Sequence, residues 1–231
     1  MAALAAFSIM SVKTPAFGEY QTSLMSIFGH TIASPIPGLA NHKTPLAEHQ
    51  FSLEKRYDNS YVNDVFKNNI LLNIAYLKGK TTSPNQINWN DIEKPFEYKF
   101  TLQPGKTFAY HDDILDKYQG KVTQTTNAHF NAQEGFKSDG YLFGDGVCHL
   151  ASLIYWTAKD AGLEAEAPTN HDFMPINQIP KVYGVAIYDV PGQKDTNAQQ
   201  NLYVTNNLQK PVEFVLDYKD NNLKISLSVE S

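Results

Sequence analysis

The clearest periodicity in the chain is a stripe of apolar positions, Val62, Val65, Phe66, Ile70, Ile74 and Leu77, recurring at three- and four-residue steps. That spacing places them on one buried face of an α-helix. Tyr57-Asp58-Asn59-Ser60 precedes the stripe, with Asp58 or Ser60 positioned to cap free amides, and Gly79 supplies the stop. A second stripe, Val147, Leu150, Ala151, Ile154, Ala158 and Ala161, predicts another helix, closed by Gly162 and its hydrophobic follower Leu163.

Elsewhere the period is two. Phe96, Tyr98, Phe100 and Leu102 alternate with polar residues, as in a half-buried strand, and Pro104-Gly105 turns the chain toward Lys106–Tyr110. Beyond the second helix the alternation returns at Val185 and Ile187, Leu202 and Val204, Val212 to Leu216, and Leu223 to Val229. Pro191-Gly192, Asn206-Asn207 and Asp220-Asn221-Asn222 separate these runs and predict an antiparallel meander. Strands not regularly interleaved with helices point to an α+β fold, a mostly antiparallel sheet with two main helices packed on it.

The first 49 residues lack sustained periodicity, and Pro15, Pro35, Pro37 and Pro45 break both helix and strand there. Residues 1–49 are read as an arm or linker and residues 50–231 as one domain. The apolar run Met1–Met10 has no basic flank and is too short to span a bilayer. It reads either as the end of a signal or anchor, which would be the only membrane attachment, or as a terminal arm.

Composition narrows the function classes. With 42% hydrophobic residues over 231 positions, the chain has ample material for a core. A formal net charge of -5, with both signs interspersed, provides no positive field for a phosphate backbone, so nucleic acid is not an expected partner. Cys148 is the single cysteine, which excludes an intramolecular disulfide framework.

Cys148 is also the main candidate for chemistry. It stands in Gly144-Asp145-Gly146-Val147-Cys148-His149 at the start of the second helix. If Asp145 caps that helix, unpaired first-turn amides favour a thiolate at Cys148. A cysteine nucleophile needs a base and a group that orients the base. His171 is the candidate base, Asp172, Asn170 or Asp189 the orienting group, and His149 an oxyanion donor or a core histidine. Asn170, Tyr155 and His129 are assigned to substrate contact. A metal reading draws on Cys148, His171, His129 and Asp172 as ligands, without the compact paired spacing of a zinc motif. No cofactor is expected.

The segments Gly144–Tyr155, Ala161-Gly162-Leu163 and Asn170-His171-Asp172-Phe173 resemble the core signature of the VanW-like family. Asn69-Ile70, Leu102–Phe108 and Asn201–Asn207 resemble its Asn-Ile helix, its Pro-Gly-Glu-x-Phe strand and its Asp-Leu-x-Phe-x-Asn strand. The resemblance covers roughly residues 53–229. It departs at Asp145, where the family has glycine, at His149, where it has glutamine, and at Ala167-Pro168, where it has Glu-Arg. It departs also at Gly184, where the family has aspartate. If that aspartate completes a triad, Asp172 or Asp189 must substitute here or the triad is absent.

The resemblance implies a bacterial, exported or envelope-associated protein of the glycopeptide-resistance context, with no activity attached to the family. Three functions are therefore expected in turn. The first is a Cys148/His171 dyad for acyl transfer or amide hydrolysis on a cell-wall peptide. The second is a non-catalytic peptidoglycan-binding or scaffold module, with both side chains packed beneath the groove. The third is a Cys/His metal site.

Overall fold

A computed structural model describes residues 45–230 apart from Leu142 and Phe173. The apolar Met1–Met10 run and three of the four early prolines, Pro15, Pro35 and Pro37, lie outside the described residues. Helix α1 spans Ser60–Leu77 and α3 spans Val147–Asp160, bracketed by the short helices α2 (Trp89–Ile92) and α4 (Lys194–Gln199). Among the described residues no helix is long and apolar enough to cross a membrane.

The strands divide into two four-stranded sheets. The first is antiparallel throughout, in the order β1 (Ala47–Ser52), β8 (Asn222–Val229), β7 (Val212–Lys219) and β2 (Phe96–Leu102). The second runs β4 (Val122–Gln124), β3 (Thr107–Ala109), β6 (Tyr203–Thr205) and β5 (Glu164–Glu166), with only the β3–β4 pair parallel. The α+β class holds, with its antiparallel pairing shared between two sheets.

Local chemistry explains most boundaries. Asn59 caps α1, its side chain accepting from the Tyr61 amide, so the cap falls between the two residues expected from sequence. At the far end of α3, Gly162 takes φ +76 and the Leu163 amide bonds Ala158, which closes the helix as its hydrophobic follower requires. The β7–β8 hairpin turns on Asp220 and Asn221, both at positive φ, a conformation these short polar residues tolerate.

Three sequence expectations change. The final runs do not form one meander: β7 and β8 pair, β6 joins the second sheet, and Val185 makes only an isolated bridge to Asn170. Strand β1 starts inside the stretch assigned to an arm: its first three residues, 47–49, precede the domain boundary read at residue 50, and the strand pairs with β8 from Ala47 and buries Phe51. Its weak alternation hides it, because most of its other positions are half-exposed or exposed. Asp145 does not cap α3, as described below.

Helix α3 packs on β1, β8, β5 and α1. Helix α3 as a whole thus touches both sheets and the first helix.

Candidate functional site

The chain enters α3 through two glycines that no other residue could replace without strain. Gly144 (φ +81) passes so close to Phe130 that an added Cβ would lie 2.8 Å from that side chain. A Cβ on Gly146 (φ +100) would lie 2.9 Å from the Phe66 carbonyl of α1. Asn69, fully buried on α1, fixes the approach: its amide donates to the Lys137 and Asp145 carbonyls, and its oxygen accepts from the Lys137 amide.

Gly146 is the N-cap of α3, without any side-chain cap. The Asp145 carboxylate instead accepts from the Asp139 amide at 3.0 Å, and burial raises it to about 6 despite that bond. The Val147, His149 and Leu150 amides bond the Gly144 and Gly146 carbonyls, so these first-turn donors are already occupied.

Cys148 is the second residue of α3, half-buried at the edge of the core. Its thiol donates to the Ile187 carbonyl at 3.5 Å and accepts from the Ile187 amide at 3.4 Å. Burial, opposed by that amide and reinforced by Asp145, pushes the thiol up to about 11. One turn on, the Ser152 hydroxyl donates to the Cys148 carbonyl and accepts from the Val185 amide. Cys148 and Ser152 together stitch α3 to the Val185–Ile187 segment.

His149 is a core histidine. It is 3% exposed, its ring 4.9 Å from Phe66 and 6.4 Å from His171, and its Nδ1 has no hydrogen-bond partner. Burial, followed by the charges of Arg56 and His171, lowers it well below the usual histidine range, so it is neutral.

His171 lies against the same ring cluster. Its Nδ1 sits 3.0 Å from the Met174 carbonyl, which can only accept, so the proton is on Nδ1 in the neutral ring. Burial lowers its pKa. The Met174 carbonyl therefore holds the ring at Nδ1. Asp172 is exposed, Asn170 pairs with Val185, and Asp189 accepts from Asn197. Gly184 abuts His171: an added Cβ would lie 3.1 Å from the His171 carbonyl and 3.3 Å from its Cβ. Gly184, where the resemblance implies an aspartate, thus adjoins the histidine in a seat with little room for a side chain.

The remaining assigned residues lie apart from the thiol's partners. Tyr155 is half-buried and packs edge-on against Tyr183. His129 contacts Glu134 at 2.8 Å and Asp112 at 3.4 Å. Burial depresses its pKa, but Glu134 and Asp112 raise it on balance. Among the described residues no group of three or more histidines, cysteines and carboxylates is arranged to hold a metal ion, so the metal set is not brought together.

Two features escaped the sequence reading. Arg56 is buried, bonds Gln178 at 2.6 Å and stacks 4.2 Å from the Phe51 ring centroid, while its Nε and Nη1 have no partner. Burial lowers it to about 10. The second feature is a loop closed by the Ser138–Phe143 bridge, on which Tyr141 is 91% and Phe143 54% exposed. Tyr61, 60% exposed at the start of α1, donates to the Ser138 carbonyl at the base of this loop. A cleft of about 690 Å³ adjoins it, lined by Tyr61, Asp64, Lys67, Asn68, Glu93 and Lys137 among others. No sequence signal singled out Tyr61 or Arg56.

A family model described as VanW like protein matches residues 98–228, from β2 to β8. No curated protein matches the chain, and no solved structure does. The matched span contains the glycine-flanked start of α3, His171, Gly184 and the Asn201–Asn206 strand, and it exceeds half of the sequence: the chain belongs to the VanW-like family.

Proposed function

We propose that this domain is a non-catalytic binding module of the bacterial cell envelope that holds peptidoglycan on the face formed by Tyr61, Tyr141 and Phe143. The observation that carries the reading is the exposure of these three large side chains: Tyr61 lines a cleft rimmed by charged residues, and Tyr141 and Phe143 stand on the loop whose base, Ser138, lines the same cleft. Exposed aromatic groups with a polar rim mark interaction sites, and flat rings suit stacking on sugars. The lysines and carboxylates of the cleft can pair with the charged groups of the peptide stems. Cys148 fits this reading as a pin between α3 and Ile187, with a thiol held in its neutral form.

The acyl-transfer reading retains one favourable observation. With the proton of His171 on Nδ1, directed at Met174, its Nε2 is the basic nitrogen. Sedimentation with purified sacculi separates the two. For the binding module, Cys148→Ala binds as the parent does, and a Tyr61→Ala/Tyr141→Ala double variant binds at least tenfold more weakly, about 1.4 kcal/mol. Release of new amines or carboxylates from sacculi by the parent but not by Cys148→Ala would replace the module with an enzyme.

A further inference from the structure

A second cavity, of about 360 Å³, opens where the end of α1 meets α2 and the start of β2. Leu71, Ala75, Ile92 and Phe96 give it an apolar floor, and Lys78, Lys80 and Lys94 bring three ammonium groups to its wall. Its one carboxylate, Asp91, is already engaged by Lys94 at 2.7 Å and by Asn88 at 2.8 Å. Lys78 and Lys80 form no ion pair among the described residues. With three lysines and one aspartate, the cavity wall carries an excess of positive charge on a molecule whose formal net charge is -5.

Lysines at a helix C-terminus often serve the last carbonyls. Here those carbonyls are satisfied without them. The Lys78 amide bonds Ile74, the Lys80 amide bonds Ala75, the Gly79 amide bonds Tyr76, and the Tyr98 hydroxyl bonds Leu77. The Lys78 ammonium lies 3.1 Å from the Phe96 ring centroid, at the junction of floor and wall. Burial, and after it the charge of Lys80, lowers its pKa to about 8.

We propose that this cavity is a binding site for a small organic anion, whose carboxylate or phosphate head lies between Lys78 and Lys80 and whose short apolar body covers Leu71, Ala75, Ile92 and Phe96. At ~30 Å³ for each water-sized group, the volume admits about a dozen non-hydrogen atoms. An apolar floor with a few convergent polar groups is the general form of a small-molecule site.

Calorimetric titration of the full chain with octanoate, octyl phosphate, acetate and octanol tests this. Octanoate or octyl phosphate is expected to bind at least tenfold more tightly than acetate or octanol, the tighter of the two naming the head group. Bound ligand is expected to slow acetylation of Lys78 at least fivefold, and Lys78→Met to remove the binding. Lys80→Met, at an exposed position, should weaken binding at least threefold and serves if Lys78→Met fails to fold. Octanol equal to octanoate would reduce the cavity to an apolar groove. Acetate equal to octanoate would reduce it to surface charge, and either result, or no binding, overturns the proposal.

Discussion

Cys148 shows how one side chain's partners decide its chemistry. Its position near the start of a helix favours ionisation, yet the thiol is shared between the amide and the carbonyl of Ile187, and burial dominates. The rate of alkylation of the native thiol should therefore rise with a midpoint near pH 11, and only after unfolding with one of about 8.5. Because the unfolded chain gives up this proton first, the Cys148 contribution to stability falls as pH rises from about 8.5 to 11. A native midpoint below 8 would restore the thiolate nucleophile. His149 is explained by the same dominance of burial: a neutral ring among Tyr57, Phe66 and His171 is a packing element.

At the scale of elements, the asparagines of the family resemblance act as staples. Asn201 accepts from the Tyr110, His111 and Leu202 amides and donates to the His111 and Asp113 carbonyls, locking β6 beside β3. Asn206 donates to the Leu102 and Lys210 carbonyls, tying the end of β6 to that of β2. Asn69 joins α1 to both ends of the loop that carries Tyr141. Asn69→Leu removes the side-chain partner of the Asp145 carbonyl and the Lys137 amide, while the Lys137 carbonyl keeps the Gly144 amide, and should cost about 2–4 kcal/mol in urea unfolding. It should also release the 137–145 loop to faster hydrogen exchange; a loss under 0.5 kcal/mol would mean that the glycines alone hold the approach.

The same scale shows what was legible locally. The apolar stripes located α1 and α3, the alternation from Phe96 to Leu102 coincides with β2, and Gly162-Leu163 ends α3 where expected. Strands β4 and β5 are three residues each, too short to show a period, and the α3 cap is supplied by backbone geometry at Gly146.

For the molecule as a whole, the first sheet joins distant parts of the chain. β1 pairs along its whole length with β8, burying Phe51, and His49 stacks on Trp156 of α3 at 3.5 Å while contacting Asp160. A chain beginning at Glu54 loses this strand together with buried Phe51 and Leu53. It should lose roughly 4 kcal/mol or more, from the two side chains at about 1.5–3 kcal/mol each and an uncovered β8 edge. Urea unfolding measures the loss, and an unchanged midpoint would make β1 an accessory strand.

The sequence by itself determined the α+β class, the two principal helices, the β2 and β7–β8 strands and the family, because periodicity, turn chemistry and motif order are local properties of the chain. The tertiary structure decided how the strands divide between two sheets, that β1 belongs to the first, and that the Cys148 thiol faces Ile187. It also decided that Tyr61 lines a cleft and that Lys78, Lys80 and Lys94 share a cavity. Each of these depends on which remote groups supply hydrogen bonds, exclude water or bring charge, and those partners are chosen only when the chain packs.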